Sequence, residues 1–282
     1  MMSKRCWIAL AGAAVLGAGA ARAASRPFDC VMEPSLVAKV GSPVANIVTD
    51  VDVDRGDIVR KGQVLAHIES SAEQAAVSYN QVKADSTAEI QAKQAVLDQK
   101  AGVLRRKIGL QKDHVGAAQD VDNAQADYNV AKQEVELAKL NHLMTGIELR
   151  RAEADLALRT VRSPIDGVVT QRSIGPGEFF HQDSVIVTIA RVDPLNVETY
   201  LPVRYYKLIK VGDVASVYPS DPVGGERKAK VTVVDSVFDA ASGTYGVRLE
   251  LPNADHDLPG GLRCRVTFNV ADPPDPVANA RP

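Results

Sequence analysis

Apolar and polar positions alternate between residues 35 and 70, the period of half-buried strands. The alternation is broken at Asp54-Arg55-Gly56-Asp57 and Lys61-Gly62-Gln63, which read as turns between short strands. From Ser71 to Arg159 the period changes. No proline occurs there, and Ala, Gln, Lys, Glu and Asp dominate, a helical composition. In the second half of this stretch Val121, Tyr128, Val135, His142, Leu149 and Leu156 recur every seven residues. Ala124, Ala131, Ala138, Thr145 and Ala152 lie three residues after the first five. Only His142 and Thr145 interrupt an apolar seam of the coiled-coil kind. The first half is less regular, with Ile90, Leu97, Ala101, Leu104 and Ile108 on one stripe and Ala75, Tyr79 and Val82 on another, offset by a stutter. His114 and Gly116 interrupt the pattern between Lys112 and Ala118, and Asp120 suits the first turn of the next helix. The spacing predicts an antiparallel hairpin with arms of about 40 residues, hence about 60 Å long.

The alternating pattern is used twice, about 120 residues apart. Residues 43–69 align without a gap on residues 164–190. Pro43 matches Pro164, Val48 and Thr49 match Val169 and Thr170, Gly56 matches Gly177, and Ile68 matches Ile189. Asn46 stands where the second copy has Gly167, which predicts a shared turn at positive φ. Two such fragments are most simply halves of one small β module. The helical insert must then leave near Glu69 and return near Thr160. After Arg191, strands are predicted over 195–200, 214–218, 229–237, 245–251 and 262–270, with a short helix over 203–210. These suggest a small closed barrel, followed by a proline-rich tail that reads as disordered.

At the other end, Lys4 and Arg5 precede an apolar run over 7–21 and then Ala21-Arg22-Ala23, which reads as a cleaved secretory signal over 1–23. The run is shorter than the roughly 18 to 20 residues that span a bilayer, which disfavours the alternative of an uncleaved anchor. Cys6 leaves with the signal. Cys30 and Cys264 can pair in an oxidising compartment, joining the leading strand to the last one, or remain two buried thiols. The chain has 33 Lys and Arg against 35 Asp and Glu, and loss of Lys4, Arg5 and Arg22 leaves 30 basic residues and a net charge near −5. With no basic cluster, nucleic acid is excluded as a partner.

No catalytic constellation emerges. His67, His114, His142, His181 and His256 are scattered without ligand spacing. Met32 and Met144 are too few for a methionine copper or silver site. No helix is predicted after Gly175-Pro176-Gly177, so that segment is a β-turn and not a phosphate loop. The expectation is therefore a protein without catalytic residues, cofactor or metal ligands.

The half-motif over 53–66 (VDRGDIVRKGQVLA), the second over 160–169 (TVRSPIDGVV) and the later LIKVGD over 208–213 together resemble the periplasmic adaptor subunits of tripartite efflux and secretion systems. These are also called membrane fusion proteins, or the HlyD family. The resemblance covers roughly residues 35–270. It implies a multi-domain β plus α fold: a split lipoyl-like barrel-sandwich hybrid (35–70 and 160–191), an inserted antiparallel coiled-coil hairpin (71–159), a small β-barrel (192–270) and a tail (271–282). It also implies a ring of such subunits in the periplasm, held at the inner membrane by protein contacts. That ring couples an inner-membrane transporter, with the RND type favoured over ABC or major-facilitator types, to a TolC-type outer-membrane channel. The family's hairpin tip touches the channel through an arginine, a leucine and a small polar residue. Arg106 and Leu110 fall on the first two positions, and Ala117 takes the place usually held by serine. Many relatives add a fourth β domain near the membrane, and here that domain is expected to be absent or reduced. Two other functions use parts of the same pattern. A lipoyl or biotinyl carrier needs a lysine at a β-hairpin tip, where this chain has its helical insert. A coiled-coil adaptor for peptide or protein secretion differs in its partner alone.

Overall fold

The computed structural model describes residues 26–181 and 183–273. The expected signal (1–23) and residues 274–282 of the expected tail lie outside the described residues. The elements run β1 (Phe28–Val40), β2 (Asn46–Val51), β3 (Ile58–Val59) and β4 (Val64–Ile68), then α1 (Ser71–Asp85), α2 (Ala88–Lys112) and α3 (Ala118–Ala157). They continue with β5 (Thr160–Arg162), β6 (Gly167–Arg172), β7 (Phe179–Phe180), β8 (Val187–Pro202), β9 (Val214–Pro219), β10 (Arg227–Val234), β11 (Thr244–Leu251) and β12 (Arg263–Phe268). Two compact units divide them: residues 36–191, and the residues up to 35 together with those from 192 onward.

In the first unit the two halves of the sequence repeat interlock reciprocally. β2 pairs with β7, the counterpart of β3, and β3 pairs with β6, the counterpart of β2. The Gly56 amide donates to Val169 O (2.9 Å) and the equivalent Gly177 amide donates to Val48 O (2.7 Å). In return Val169 N donates to Asp57 O and Val48 N to Glu178 O, each at 2.9 Å. Even the irregularity is duplicated: Val48 faces Ile68 with a bulge before Asp50, and Val169 faces Ile189 with a bulge before Gln171. Beside each bulge a threonine hydroxyl, from Thr49 or Thr170, donates to a carbonyl across the strand pair at 3.1 and 3.2 Å. The matched glycines have φ of 98° and 84°, a conformation in which any Cβ is strained. Val48, Leu65, Phe180, Ile186, Val187 and Ile189 fill the space between the halves and are wholly buried.

The shared turn expected at Asn46 and Gly167 is not what those residues provide. Neither lies at positive φ. A Cβ on Gly167 would stand 2.4 Å from Ala190 O, so glycine is required by close approach of β8 and not by backbone handedness.

The insert leaves β4 and returns to β5 side by side: His67 faces Thr160, and Ile68 N donates to Arg159 O at 2.8 Å. Glu73 and Arg159, both largely buried, form an ion pair at this base. Every position of the second-arm heptad is buried or half-buried along the 40 residues of α3. The first arm departs from expectation. It is two helices, broken at Ser86, whose backbone is extended (φ −77°, ψ 116°). Moreover Tyr79 and Val82 are 68% and 73% exposed, and Glu73, Val77, Asn80 and Ala84 face inward instead. The ion pairs record the cause. Lys93–Glu134, Lys100–Asp127 and Lys107–Asp120, at 2.7–3.1 Å, recur every seven residues on both arms. Continuing that spacing would set Lys83 against Met144, yet Lys83 pairs with Glu148 at 2.8 Å. The four-residue shift is a stutter taken up by the break.

In the second unit the strand order is β1-β12-β9-β10-β11-β8, and β1 also pairs with β8, closing six strands into a barrel. Leu195, Val197, Val217, Val231, Val247 and Leu249 alternate inward and are wholly buried. The helix expected over 203–210 is a single 3-10 turn, Val203–Tyr205. It ends at Tyr206, whose backbone is already extended (φ −59°, ψ 140°), and Lys207 follows at φ 71°, a left-handed conformation that cannot resume a right-handed helix. Cys30 and Cys264 stand opposite each other in register, with Cα atoms 4.8 Å apart and a disulfide between them. The hydroxyl of Tyr245 is buried without a partner. Burial first, and then the nearby Tyr206, push its pKa up to about 12.

Candidate functional site

The tip of the hairpin is built by a helix stop. α2 ends at Lys112, Asp113 N donates to Gly109 O at 3.1 Å, and His114 adopts φ 58°. The chain then folds back over the helix end, with Val115 N and Gly116 N both donating to Leu110 O (3.0 and 3.1 Å). A Cβ on Gly116 would lie 3.1 Å from Gln111 N, so the tight return favours glycine there. Doubled donation to one carbonyl satisfies a group that a helix C-terminus leaves open.

The three tip residues expected from the sequence are placed as follows. Arg106 is exposed on α2 and has no ion pair or hydrogen bond among the described residues, whereas its neighbour Lys107 is held by Asp120. Its guanidinium lies over Gly102, one turn back, 3.6 Å from a Cβ built there. Leu110 is 46% exposed, while Leu104 and Ile108 take the inward positions. Ala117 is the N-cap residue of α3 and has no side chain to cap it. A serine at that position could accept from the amides of the first turn, as N-caps do. The tip thus presents a free guanidinium with several donors, an apolar side chain and an uncapped helix start.

One residue escaped the sequence reading. Val115 is 77% exposed, beside Leu110 in the return turn. A single apolar residue between two turn-formers, His114 and Gly116, was the only local signal.

Among the described residues no cluster of three or more His, Cys, Asp or Glu could hold a metal ion. His67 is exposed and faces Asp52 at 3.4 Å, and His142 is half-buried in the coiled-coil seam. Two openings lie along the hairpin. One, of about 550 Å³, sits at its base around Glu73 and Arg159, and another, of about 570 Å³, sits at the helix break between Tyr79 and Met144. Beside the second, the hydrogen bond from Lys83 to Glu148 and the carboxylate's charge raise the lysine's pKa. No helix among the described residues is long and apolar enough to cross a membrane.

Comparison with known proteins places this geometry. Residues 36–191 match the family described as CzcB-like, barrel-sandwich hybrid domain. The cation efflux system protein CusB of Escherichia coli (strain K12) is 30% identical over 135 residues, which is 46% of this chain and 33% of CusB. The nodulation protein NolF of Rhizobium meliloti (strain 1021) is 24% identical over 243 residues, 84% of this chain and 61% of NolF. The chain therefore spans about a third of the first of these relatives and less than two thirds of the second. Among solved structures, MacA from Actinobacillus actinomycetemcomitans superposes with a TM-score of 0.73 at 21% identity, covering 86% of this chain and 78% of MacA. At that identity the likeness is one of fold.

Proposed function

Because the chain belongs to the membrane fusion (periplasmic adaptor) protein family through its CzcB-like barrel-sandwich hybrid domain, we propose that it is a non-catalytic adaptor of an efflux system. It stands in the periplasm and links an inner-membrane transporter to an outer-membrane channel. The hairpin reaches the channel, and Arg106, Leu110 and Ala117, with Val115 beside them, make the contact. The barrel and the split β module rest on the transporter, for which the RND type is the first to test. Copies associate into a ring, and protein contacts retain them at the inner membrane. The Cys30–Cys264 bond fastens the barrel in that oxidising compartment. CusB's name makes a cation the first cargo class to assay.

The observation that supports this reading best is the pairing of a rigid base with an unsatisfied tip. Reciprocal strands and the Glu73–Arg159 pair fix the hairpin where it leaves the β module, while Arg106 at its far end has no partner among the described residues. A guanidinium left free above an exposed Leu110 suits backbone carbonyls and an apolar notch on another protein's helical turn. A carrier function is disfavoured, because the helical insert occupies the place where a carrier's β-hairpin would present its lysine.

A photoreactive residue at position 106 and a second at Val237 on the barrel test the arrangement. The first should capture an outer-membrane channel and the second an inner-membrane transporter. Arg106→Glu should abolish export while leaving the circular dichroism and melting of the protein unchanged, and Arg105→Glu should export normally. Unimpaired export by Arg106→Glu would remove the tip assignment.

A further inference from the structure

One rim of the β-barrel gathers aromatic and apolar residues that the fold leaves in water. The start of β1, the ends of β8, β10 and β12 and the starts of β9 and β11 meet there, as the pairs Phe28–Val266, Thr244–Pro202, Val234–Val247 and Phe268–Ala215 record. The chain has five Phe and seven Tyr, and more than half of them lie at this rim. Inward, Phe28 packs edge-on against Tyr205 at 5.0 Å, and Tyr206 against Phe238 and Tyr245 at 4.8 and 5.5 Å. Val203 N donates to Gly243 O at 3.0 Å, which ties the β8–β9 connection to the β10–β11 connection. Rings and backbone thus brace the loop tips. Outward, Tyr200, Val203, Leu208, Val237 and Phe238 are 36–81% exposed.

Charge is arranged around these tips. Arg26, Lys207 and Lys210 are exposed and have no ion pair among the described residues, and Arg204 lies over the Tyr205 ring at 5.4 Å. The acids are turned to the protein. Asp213 accepts from Lys210 N at 2.8 Å and Asp239 from Ala241 N at 2.9 Å, Asp272 holds the Tyr205 hydroxyl, and Asp235 lies in the field of Arg248. The two signs nearly cancel, so the rim exerts little long-range pull on a charged partner. Basic side chains can lay their stems along apolar surface and keep the charge in water, and tyrosines favour the same boundary. The rim is also where the chain arrives from the apolar run over 7–21. Ala21 and Arg26 lie five residues apart, at most about 18 Å when extended. As long as that run sits in a membrane, the rim is held close to the membrane surface.

We propose that this rim of the barrel rests on a phospholipid bilayer, with Val203, Leu208, Val237 and Phe238 entering the headgroup layer and Arg26, Lys207 and Lys210 reaching the phosphates. Lipid fits better than a folded partner because the apolar residues stand on separate loop tips. A fluid surface covers such tips without matching their shape, and the path of the apolar run brings the rim to that surface. Burial of the tips drives the contact, since the charges nearly cancel. The proposal rests on the adaptor reading above only for which membrane is met, the inner one, where lipid lies beside the proposed transporter contact. It adds a direct hold on that membrane to the hold by protein contacts.

Flotation with phosphatidylcholine vesicles tests it, using the chain from Ala24 onward so that the apolar run takes no part. The protein should float with the vesicles. Its binding should change less than about twofold between about 0.05 and 0.5 M salt, a range over which charge-driven binding is screened away. Leu208→Asp combined with Val237→Asp, both at exposed positions, should weaken binding at least about tenfold with unchanged circular dichroism and melting. Val115→Asp at the hairpin tip should bind as the native chain does. An environment-sensitive fluorophore on Val237→Cys should shift to the blue with vesicles and be quenched by spin-labelled lipid, while the same label on Val115→Cys should not respond. A native chain that fails to float, or a double variant that floats equally, would overturn the proposal. So would a label at position 237 that responds only when the transporter is reconstituted, or only when the protein self-associates without lipid. Capture at position 106 is a separate readout: channel capture without flotation defeats the rim contact alone, and flotation without capture defeats the tip contact alone.

Discussion

Within the unit of residues 36–191, the β module and the hairpin inserted into it bury apolar surface on different scales. The module puts Leu65, Phe180, Ile186 and Ile189 wholly out of water, whereas the longer hairpin buries only Leu104, Val135 and four alanines. A buried Leu or Phe contributes about 1.5–3 kcal/mol and an alanine methyl under about 1. Cohesion is therefore concentrated at the base, and the arms are held by a thin seam and exposed ion pairs. The contrast teaches where function can sit. A region that buries little of its apolar surface leaves more of it in water, as Leu110 and Val115 show at the tip.

The sharpest way to break this comparison is to cut both cores equally. Leu65→Ala should cost about 3 kcal/mol, as fully buried leucines do, and lower the urea midpoint of the whole unit. Leu104→Ala, in the hairpin seam, should cost about 1–2 kcal/mol by the same scale and should speed hydrogen exchange in α2 and α3 more than in the β strands. Equal global losses would show that arm and base unfold as one, and the contrast would fail. Next in size is Gly167→Ala. Its Cβ would meet Ala190 O at 2.4 Å and Ile189 Cγ2 at 3.0 Å, backbone and core that cannot yield freely, so a loss of about 1–3 kcal/mol is expected. Gly109→Ala in α2 meets nothing within 4 Å and should raise helix stability by up to about 1 kcal/mol. The same substitution thus has opposite signs in the two regions.

A smaller change extends the comparison to the barrel, whose core is as closed as the module's. The Tyr245 hydroxyl is buried without a partner, so Tyr245→Phe should stabilise the protein by about 1 kcal/mol. Its folded pKa of about 12 lies above the ordinary value of 10, so the unfolded chain loses this proton first. The stability tied to the neutral phenol is complete below pH 10 and is lost as pH rises from 10 toward 12. In Tyr245→Phe that part of the alkaline loss should disappear, and urea titrations at pH 9 and 11 measure it.

The regions also differ in how far their sequence could be read. In α3 the heptad is carried by side-chain size on one face, so local spacing identified every buried position. In α1 the same spacing misled. Ala75, Tyr79 and Val82 do form a stripe, but spacing says that a stripe exists and not which neighbour covers it. The inward stripe of α1 includes Glu73, because Arg159, 86 positions later, neutralises it. No local pattern contains that partner. Gly167 was noticed for its type and misassigned in its reason, since the obstructing Ala190 carbonyl belongs to a strand folded back from elsewhere. The repeat itself was legible because each half repeats the other's turns, whereas the donation of Gly56 to one half and Gly177 to the other is visible only once they interlock.

The smallest expected effect tests whether the ion-pair ladder holds the arms together or only sets their register. Lys100 meets Asp127 at 2.7 Å with both side chains substantially exposed, and exposed pairs of this kind contribute about 0.2–1 kcal/mol. Lys100→Gln should therefore shift the hairpin's melting by no more than about 0.5 kcal/mol, and the shift should fade in about 1 M salt, where the screening length falls to about 3 Å. Lys100→Glu sets like charges in contact and should cost more. Combined with Asp127→Lys it should recover nearly all the loss, because the swapped pair keeps the seven-residue register of Lys93–Glu134 and Lys107–Asp120. If the single substitution instead melts the arms at low salt, the ladder supplies cohesion that the alanine seam lacks.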